Sequence, residues 1–254
     1  MNNLLKINPD KEEEKIISFI KETFNKQKII RAVIGVSGGV DSATSLSLLS
    51  KAISLENISV LYLPYFDSST DDLDEMISSV GLDDNQLFNI SIEETVDALS
   101  DELEVPDEDL VRKGNIMARI RMIALYDFAK KNNALVVGTE NKSEYLLGYF
   151  TRFGDEASDI EPIRHLYKTQ VIELARHLGL PNQIINKAPS ANLWEDQTDE
   201  SEFGFSYAEA DPVLYRFFDK NEPIGTIEKE YKNAHRIIDF AKKNSYKHLV
   251  PYHL

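Results

Sequence analysis

Short apolar runs alternate with segments of helical periodicity through the first half of this chain. Runs that are apolar throughout are typical of strands covered on both faces. These predicted strands cover residues 32–36, 58–63, 87–90 and 134–137. The predicted helices around them cover residues 16–24, 43–49, 72–80 and 116–130. Strands that alternate with helices predict an α/β fold, with a doubly wound parallel sheet flanked by helices.

The second half has weaker periodicity. It predicts a loop at 148–162, a helix at 167–178, an irregular segment at 187–204 and a helical tail at 207–245, broken at Pro212 and Pro223. The acidic segment 97–109 predicts a solvated loop. We expect one domain over residues 1–254, with the core sheet at about 28–140 and substrate loops and a helical C-terminal part at about 141–254.

Composition excludes several kinds of chemistry. The 254 residues include no cysteine, which excludes disulfides, thiolate metal sites and a cysteine glutaminase. The net charge of −15 argues against non-specific nucleic-acid binding. No apolar stretch approaches the roughly 18 residues of a membrane span, and the polar N-terminus lacks the apolar run of a signal peptide. These features predict a cytoplasmic protein, and without a cysteine glutaminase any ammonia that it used would have to arrive free or from a partner.

A glycine-rich turn follows the first predicted strand and opens the next helix. Adjacent glycines let the backbone approach a ligand closely, and successive N–H groups at a helix N-terminus bind anions. This arrangement predicts a phosphate site. Its candidate residues are Gly35, Val36, Ser37, Gly38, Gly39, Val40, Asp41 and Ser42.

Asp41 restricts what this turn can bind. A carboxylate beside phosphates repels them unless a divalent cation lies between, and hard oxygen ligands suit Mg²⁺. The turn lacks the Gly-Lys-Ser/Thr ending of a P-loop. It resembles instead the pyrophosphate loop of the N-type ATP pyrophosphatases, which transfer AMP to a substrate oxygen and release pyrophosphate.

Further segments resemble one family within that group, the ammonia-dependent NAD synthetases. They occur in the family's order. Residues 113–122 resemble its Gly-Asn-x-x-Ala-Arg-x-Arg helix, 137–144 its Gly-Thr-x-x-x-x-Glu segment, 148–155 its Gly-Phe/Tyr-Phe-Thr-Lys-x-Gly-Asp segment, and 187–193 with 197–200 its Pro-Ser/Thr-Ala-x-Leu and Asp-Glu region.

The resemblance implies an adenine nucleotide alpha hydrolase-like fold and a homodimer that makes NAD from deamido-NAD, ATP and ammonia. It implies a role for each matching residue. Asp41 and Glu144 hold Mg²⁺; Thr139, Lys168 and Ser190 contact ATP, with Lys168 stabilising the leaving pyrophosphate; Arg119, Arg152, Asp159, His235 and Arg236 contact deamido-NAD; and Asp155 lies near the reacting carboxylate. Arg152, Glu156-Ala157 and Arg236 depart from the family's usual Lys, Gly-Gly and Lys.

Two other functions remain compatible with the sequence. One is another adenylating pyrophosphatase, either RNA-thiolating or GMP-forming, although the acidic charge argues against an RNA substrate and the missing cysteines argue against sulfur relay. The other is a nucleotide-binding regulatory protein without turnover. Release of AMP and pyrophosphate distinguishes these alternatives.

Overall fold

The computed structural model describes residues 3–66, 71–194 and 196–251. Four parallel strands lie in one sheet: β1 (Arg31–Val36), β2 (Ile58–Tyr62), β3 (Leu87–Asn89) and β4 (Ala134–Val137). Their order across the sheet is β3-β2-β1-β4. The four predicted strands and the parallel α/β architecture are confirmed.

Helices surround this sheet and form the C-terminal part. In chain order they are α1 (Pro9–Gln27), α2 (Val40–Ala52), α3 (Asp71–Val80), α4 (Glu93–Glu102), α5 (Leu110–Asn132), α6 (Lys142–Leu147), α7 (Lys168–His177), α8 (Asn182–Asn186), α9 (Asp199–Phe203), α10 (Tyr207–Leu214), α11 (Ile224–Ile227) and α12 (Ala234–Asn244).

The side chains of β1 alternate between two apolar layers. Ile34 and Val36 pack in a core with α1, α2 and α7, whereas Val33 packs on the opposite face with α4 and α5. All three side chains are buried, and each contributes about 1.5–3 kcal/mol by leaving water. Coverage of both faces explains why the strands are apolar throughout, and it confirms the doubly wound arrangement.

The sheet has a switch point beside β1. The chain proceeds from β1 to β2 and β3 on one side, and then returns to place β4 on the other side. Ligands of open α/β sheets bind beyond the carboxyl ends of strands at such a point. The turn at 37–42 and the segment after Val137 therefore lie side by side at the carboxyl edge of the sheet.

The first helix follows the predicted amphipathic pattern with one exception. Pro9 occupies the first turn, and the side chain of Asn8 accepts the Lys11 amide at 3.1 Å, which caps the N-terminus. Ile20 is completely buried. Phe19 belongs to the same apolar series but remains 45% exposed, because it lies to the side of the buried stripe.

The predicted break at Pro212 is wrong. α10 runs through Pro212 and continues into a π-helical turn at Tyr215–Asp219. Proline removes one helical hydrogen bond, but Val213 and Leu214 beside it are fully buried in a second apolar core formed largely by the C-terminal helices. This packing offsets the lost bond. The break at Pro223 is confirmed, since α11 begins directly after it.

Part of the acidic segment 97–109 is helical rather than loop. α4 extends to Glu102 because Val96 and Ser100, four residues apart, both face the protein interior. The acidic side chains occupy its solvent side. Within the described residues, no helix is both long and apolar enough to cross a membrane.

Candidate active site at the carboxyl ends of the strands

A cavity of about 440 Å³ opens beyond the carboxyl ends of β1, β2 and β4. It collects predicted residues that lie more than 150 positions apart in the sequence. The predicted residues that line it are Gly35, Val36, Ser37, Gly38, Gly39, Val40, Asp41, Ser42, Thr139, Glu144, Asp155, Lys168 and Ser190. The predicted ATP, metal and reaction residues therefore share one space.

The turn between β1 and α2 has the geometry of an anion site. Gly38 has a φ of 73°, in the left-handed region, whereas Gly39 is extended and precedes the first residue of α2. The hydroxyl of Ser42 donates to the Gly39 carbonyl at 3.0 Å and accepts the Ser37 amide at 3.3 Å. These bonds hold the turn closed, with the α2 N-terminus at the cavity wall.

Replacing Gly38 by alanine is expected to lower the free energy of unfolding by about 1–2 kcal/mol, because alanine is strained at positive φ. The matched control is Gly39→Ala, whose added Cβ meets only the Ser37 hydroxyl at 3.3 Å and whose φ of −95° suits alanine. Thermal melting followed by circular dichroism measures both variants. Equal melting temperatures for the two would contradict the assigned backbone strain.

Lys168 connects two carboxylates at the bottom of the cavity. Its ammonium contacts Asp41, and it lies 3.3 Å from Oε1 of Glu144. Nδ2 of Asn141 donates to the other Asp41 oxygen at 3.0 Å. Burial lowers the pKa of Lys168, but the charges of Asp41 and Glu144 outweigh burial and raise it. Burial, then the neighbouring Asp41, raises the pKa of Glu144.

The donor set at Asp41 and Glu144 fits a magnesium ion. Two carboxylates already converge on one cation, the Lys168 ammonium. Among the described residues, no group of three acidic, histidine or cysteine side chains could hold a metal. A magnesium ion here would therefore depend on phosphate oxygens and water for its other ligands, which is its usual manner of binding with ATP.

A buried carboxylate supports the backbone of Lys168 from behind. Asp211 accepts the Ser143 hydroxyl at 2.6 Å and the Thr169 amide at 2.8 Å. Ser143 in turn accepts the Lys168 amide at 2.9 Å. α6, α7 and α10 therefore meet at one hydrogen-bonded point, which fixes the position of the Lys168 backbone at the start of α7.

Asp211 is expected to make stability depend on pH. Burial raises the pKa of Asp211 from 3.8 to about 6, so the folded state binds this proton more tightly than the unfolded state does. The free energy of unfolding of the wild type should therefore fall, relative to Asp211→Asn, by about 2–3 kcal/mol as pH rises from about 4 to 6. Urea unfolding of both proteins across this range measures the difference. Parallel curves would contradict the assignment.

A second acidic pair lies beneath the segment after β4. A Cβ on Gly138 would fall 2.0 Å from an oxygen of Glu161, so a larger residue there would displace the Glu161 carboxyl group. Glu140 is buried, and Nε of Arg164 is 3.2 Å from one of its oxygens without the geometry of a hydrogen bond. Burial raises the pKa of Glu140 to about 9 and that of Glu161 to about 7. This packing fixes the backbone that presents Thr139 to the cavity.

The loop that carries Asp155 is held from the C-terminus. Oδ1 of Asp155 accepts the Thr151 amide at 2.8 Å. The ammonium of Lys247 donates to the carbonyls of Gly148 and Phe150 at 2.7 and 2.8 Å, upstream in the same loop. The Asp155 carboxyl is accessible from the cavity, yet the surrounding walls displace much of its water and raise its pKa.

Arg119, Arg152 and Asp159, the predicted deamido-NAD contacts, lie outside this cavity. Nε of Arg119 donates to the Arg152 carbonyl at 3.3 Å, and Oδ2 of Asp159 accepts the Val136 amide at 2.8 Å. Arg121, two residues after Arg119, lines the cavity instead. The structure thus brings together the ATP-related residues, and it places these three elsewhere on the surface of one chain.

The predicted pair His235 and Arg236 also lies away from the cavity. His235 is exposed and pairs with Glu228. The guanidinium of Arg236 donates to the Phe203 carbonyl at 3.0 Å, and it lies so close to Gly204 that a Cβ there would meet it at 1.8 Å. Arg236 therefore has a structural contact at the end of α9.

Some polar side chains in the cavity are absent from the predicted set. They include Arg121, Glu140, Glu156, Lys187 and Asp199. Arg121 and Asp199 both fall within the segments that resemble NAD synthetases, but nothing in the local pattern separates a residue that faces the cavity from its neighbours. Only the packing of α5 and α9 does so.

A sequence model of the NAD synthase family matches residues 12–251. The chain belongs to the NAD synthase family. It is 42% identical to the NH(3)-dependent NAD(+) synthetase of Thermoplasma volcanium over 249 residues, which is 96% of this chain and 97% of the relative. It is 40% identical to the same enzyme of Fusobacterium nucleatum over 255 residues, 98% of this chain and 97% of the relative.

Solved structures agree with this membership. The NMN synthetase of Francisella tularensis superposes with a TM-score of 0.83 at 33% identity, covering 98% of this chain and 99% of that one. The NH3-dependent NAD synthetase of Campylobacter jejuni, in complex with nitrate, gives 0.81 at 31% identity, covering 98% and 100%. The resemblance read from the motifs is confirmed, and so is the adenine nucleotide alpha hydrolase-like fold of this NAD synthase family member.

Proposed function

We propose that this chain is a carbon–nitrogen ligase that converts deamido-NAD, ATP and ammonia into NAD, AMP and pyrophosphate. The observation that carries the proposal is the shared cavity. It combines an amide-rich turn, a buried lysine between two acids and the Asp155 loop at the switch point of the sheet. The relatives named NH(3)-dependent NAD(+) synthetase, at about 40% identity over nearly the whole chain, support it.

The first step activates the nicotinate carboxylate. A carboxylate oxygen forms a bond to the α-phosphorus of ATP, and the bond from that phosphorus to the pyrophosphate oxygen breaks. The amides of the turn at 37–42 and the Lys168 ammonium hold the pyrophosphate and stabilise its growing charge. Thr139 and Ser190, which also line the cavity, position the nucleotide.

Asp41 and Glu144 would hold Mg²⁺ in this site. Bound there, the ion supplies positive charge that neutralises the leaving pyrophosphate. The support is the convergence of both carboxylates on one cation, together with the charge of Asp41, which after burial is the next cause that raises the pKa of Glu144.

In the second step ammonia attacks the adenylated carbonyl. The carbon–nitrogen bond forms, the bond from carbon to the AMP oxygen breaks, and the nitrogen loses a proton. Asp155 is the carboxylate that we assign to orienting ammonia or accepting that proton, because it is accessible from the cavity and its pKa is raised. The bond to the Thr151 amide holds it in place.

We further propose that the whole chain is one functional unit that works as a homodimer in the cytoplasm. Arg119, Arg152 and Asp159 lie outside the ATP cavity. A dinucleotide that reaches both the cavity and these residues needs a second wall, which another copy of the chain supplies. His235 and Arg236 remain weaker candidates for substrate contact, given their partners within the chain.

A second candidate substrate is nicotinate mononucleotide. The structure of an NMN synthetase, at 33% identity and a TM-score of 0.83, favours it. The adenylation chemistry and the ATP cavity would be the same. The two substrates differ only in the adenylate half, which lies away from the reacting carboxylate.

One assay separates these functions. Purified protein is incubated with ATP, Mg²⁺ and ammonium, together with either deamido-NAD or nicotinate mononucleotide, and AMP, pyrophosphate and the amide product are quantified. We expect the three products in equal amounts with deamido-NAD, and a kcat/KM for it that exceeds the value for the mononucleotide. The reverse preference would assign the second function. No AMP with either substrate would contradict both.

A further inference from the structure

Asp199 is a buried carboxylate in the cavity that the proposed chemistry does not yet use. It is 3% exposed and is the first residue of α9. Its Oδ2 accepts the hydroxyl of Tyr207 at 2.8 Å. Its Oδ1 is buried and has no hydrogen-bond donor among the residues that the structure describes.

A second tyrosine, Tyr149, does not satisfy Oδ1 in this geometry. Its hydroxyl is close enough to Asp199 to lower the pKa of that carboxyl by hydrogen bonding, but its single proton is donated to Oε1 of Glu202 at 2.8 Å. A buried carboxylate oxygen without a donor is costly, so such an atom beside a cavity indicates a donor that arrives in another state of the site.

Lys168 is the candidate donor, since its ammonium lies over the ring whose hydroxyl binds Asp199. Its ammonium lies over the ring of Tyr207, 5.3 Å from the centroid, and the hydroxyl of that same ring binds Asp199. Tyr207 therefore contacts the present position of the ammonium with its face and Asp199 with its edge. Asp199 also acts electrostatically on Lys168, after Asp41 and Glu144.

The charges around Lys168 do not balance. When Asp41, Glu144 and Asp199 are all ionised, three carboxylates surround one ammonium, and two negative charges lack compensation. One divalent cation supplies the missing charge. It cannot share the two carboxylates with the ammonium, however, because cations at that separation repel strongly in a buried site.

We propose that Asp199 receives the ammonium of Lys168 when a divalent cation binds to Asp41 and Glu144. The proposal rests on the proposed function for the presence of that cation. Lys168 occupies the cation position in the metal-free site, turns across the ring of Tyr207 and then donates to Oδ1 of Asp199. Its remaining N–H groups face the cavity and can bind phosphate oxygens. Asp199 is thus a positioning residue for Lys168.

The test uses Mg²⁺ alone, without ATP or deamido-NAD, so its outcome does not depend on ligase activity. Titration calorimetry measures the Kd of Mg²⁺ for the wild type, for Asp199→Asn and for a control, Glu200→Gln. The control removes one charge from the same helix and keeps the oxygen that accepts the Tyr207 amide. We expect Asp199→Asn to weaken binding at least tenfold, and Glu200→Gln to change it less than twofold.

The same substitution made in a Lys168→Met variant distinguishes movement of the ammonium from direct contact between Asp199 and the metal. In Lys168→Met there is no ammonium to receive, so adding Asp199→Asn should change the Kd of Mg²⁺ less than twofold. An undiminished effect of Asp199→Asn in that background would overturn the proposal, because Asp199 would then act on the metal itself. Unchanged binding in the single variant, or a lowered melting temperature as its sole effect, would overturn it too.

A crystal structure of the wild type with Mg²⁺ gives an independent readout if Lys168→Met does not fold. We expect the Lys168 ammonium within hydrogen-bond distance of Oδ1 of Asp199. An ammonium that stays between Asp41 and Glu144 would overturn the proposal. Failure of the proposed function alone would give a different result: Mg²⁺ would bind and the Lys168 ammonium would move as expected, but no AMP would form.

Discussion

Replacing Asp41 by asparagine should reduce AMP formation by about 10²–10³-fold while leaving the protein folded. The asparagine keeps an oxygen to accept the Asn141 amide group, so the turn retains that hydrogen bond. It loses the charge that holds Lys168 and, in the proposed mechanism, Mg²⁺. The loss should appear in kcat, because the missing charge acts on the leaving pyrophosphate.

Coupled detection of pyrophosphate measures this effect, and circular dichroism checks the fold. The matched control is Glu94→Gln. Like Asp41 in α2, Glu94 is an acid in the first turn of its helix, α4, but it is exposed and lies outside the cavity. Glu94→Gln should keep full activity. Activity of Asp41→Asn within tenfold of the wild type would remove Asp41 from the reaction.

Replacing Lys168 by methionine should lower the free energy of unfolding by about 3 kcal/mol. The lysine side chain is 3% exposed and compensates Asp41 and Glu144, which become buried charges without a counter-ion in the variant. The loss stays at the lower end of the expected range because Glu144, whose pKa is already raised, takes up a proton. AMP formation should also fall, since the ammonium no longer holds the pyrophosphate.

Urea unfolding with and without Mg²⁺ measures this variant. The control is Lys142→Met, whose ammonium pairs with Asp219 at 2.7 Å in a partly exposed position and should cost less than about 1 kcal/mol. Mg²⁺ should restore part of the stability of Lys168→Met, because it replaces the missing positive charge. Equal losses for the two lysine variants would contradict the buried role of Lys168.

The parallel sheet and the phosphate turn could be predicted because their signals are local. A strand that is buried on both faces needs an apolar run, and the turn after β1 needs glycine at Gly38, where φ is positive, so each is visible within a few residues. Their meeting at one sheet edge follows from the parallel order of the strands. Local signals do not connect Lys168 with Asp41. Only the family resemblance predicted that these two residues share a site.

The misses have a common physical origin in packing between distant segments. Pro212 continues a helix because the buried face beside it outweighs one lost hydrogen bond. Arg121 rather than Arg119 faces the cavity because side chains two positions apart on a helix point about 200° apart, and the rotation of α5 is set by its neighbours. Asp199 becomes important only through Tyr207 and Lys168.

The central place of β1 has a consequence for synthesis on the ribosome. β1 is made early, yet its second neighbour β4 pairs Leu135 with Ala32, roughly a hundred residues later in the chain. Until β4 emerges, a nascent chain leaves the backbone N–H and C=O groups along one edge of β1 unpaired, which invites pairing with other chains. Chaperone protection should therefore matter most during translation of the segment between β3 and β4.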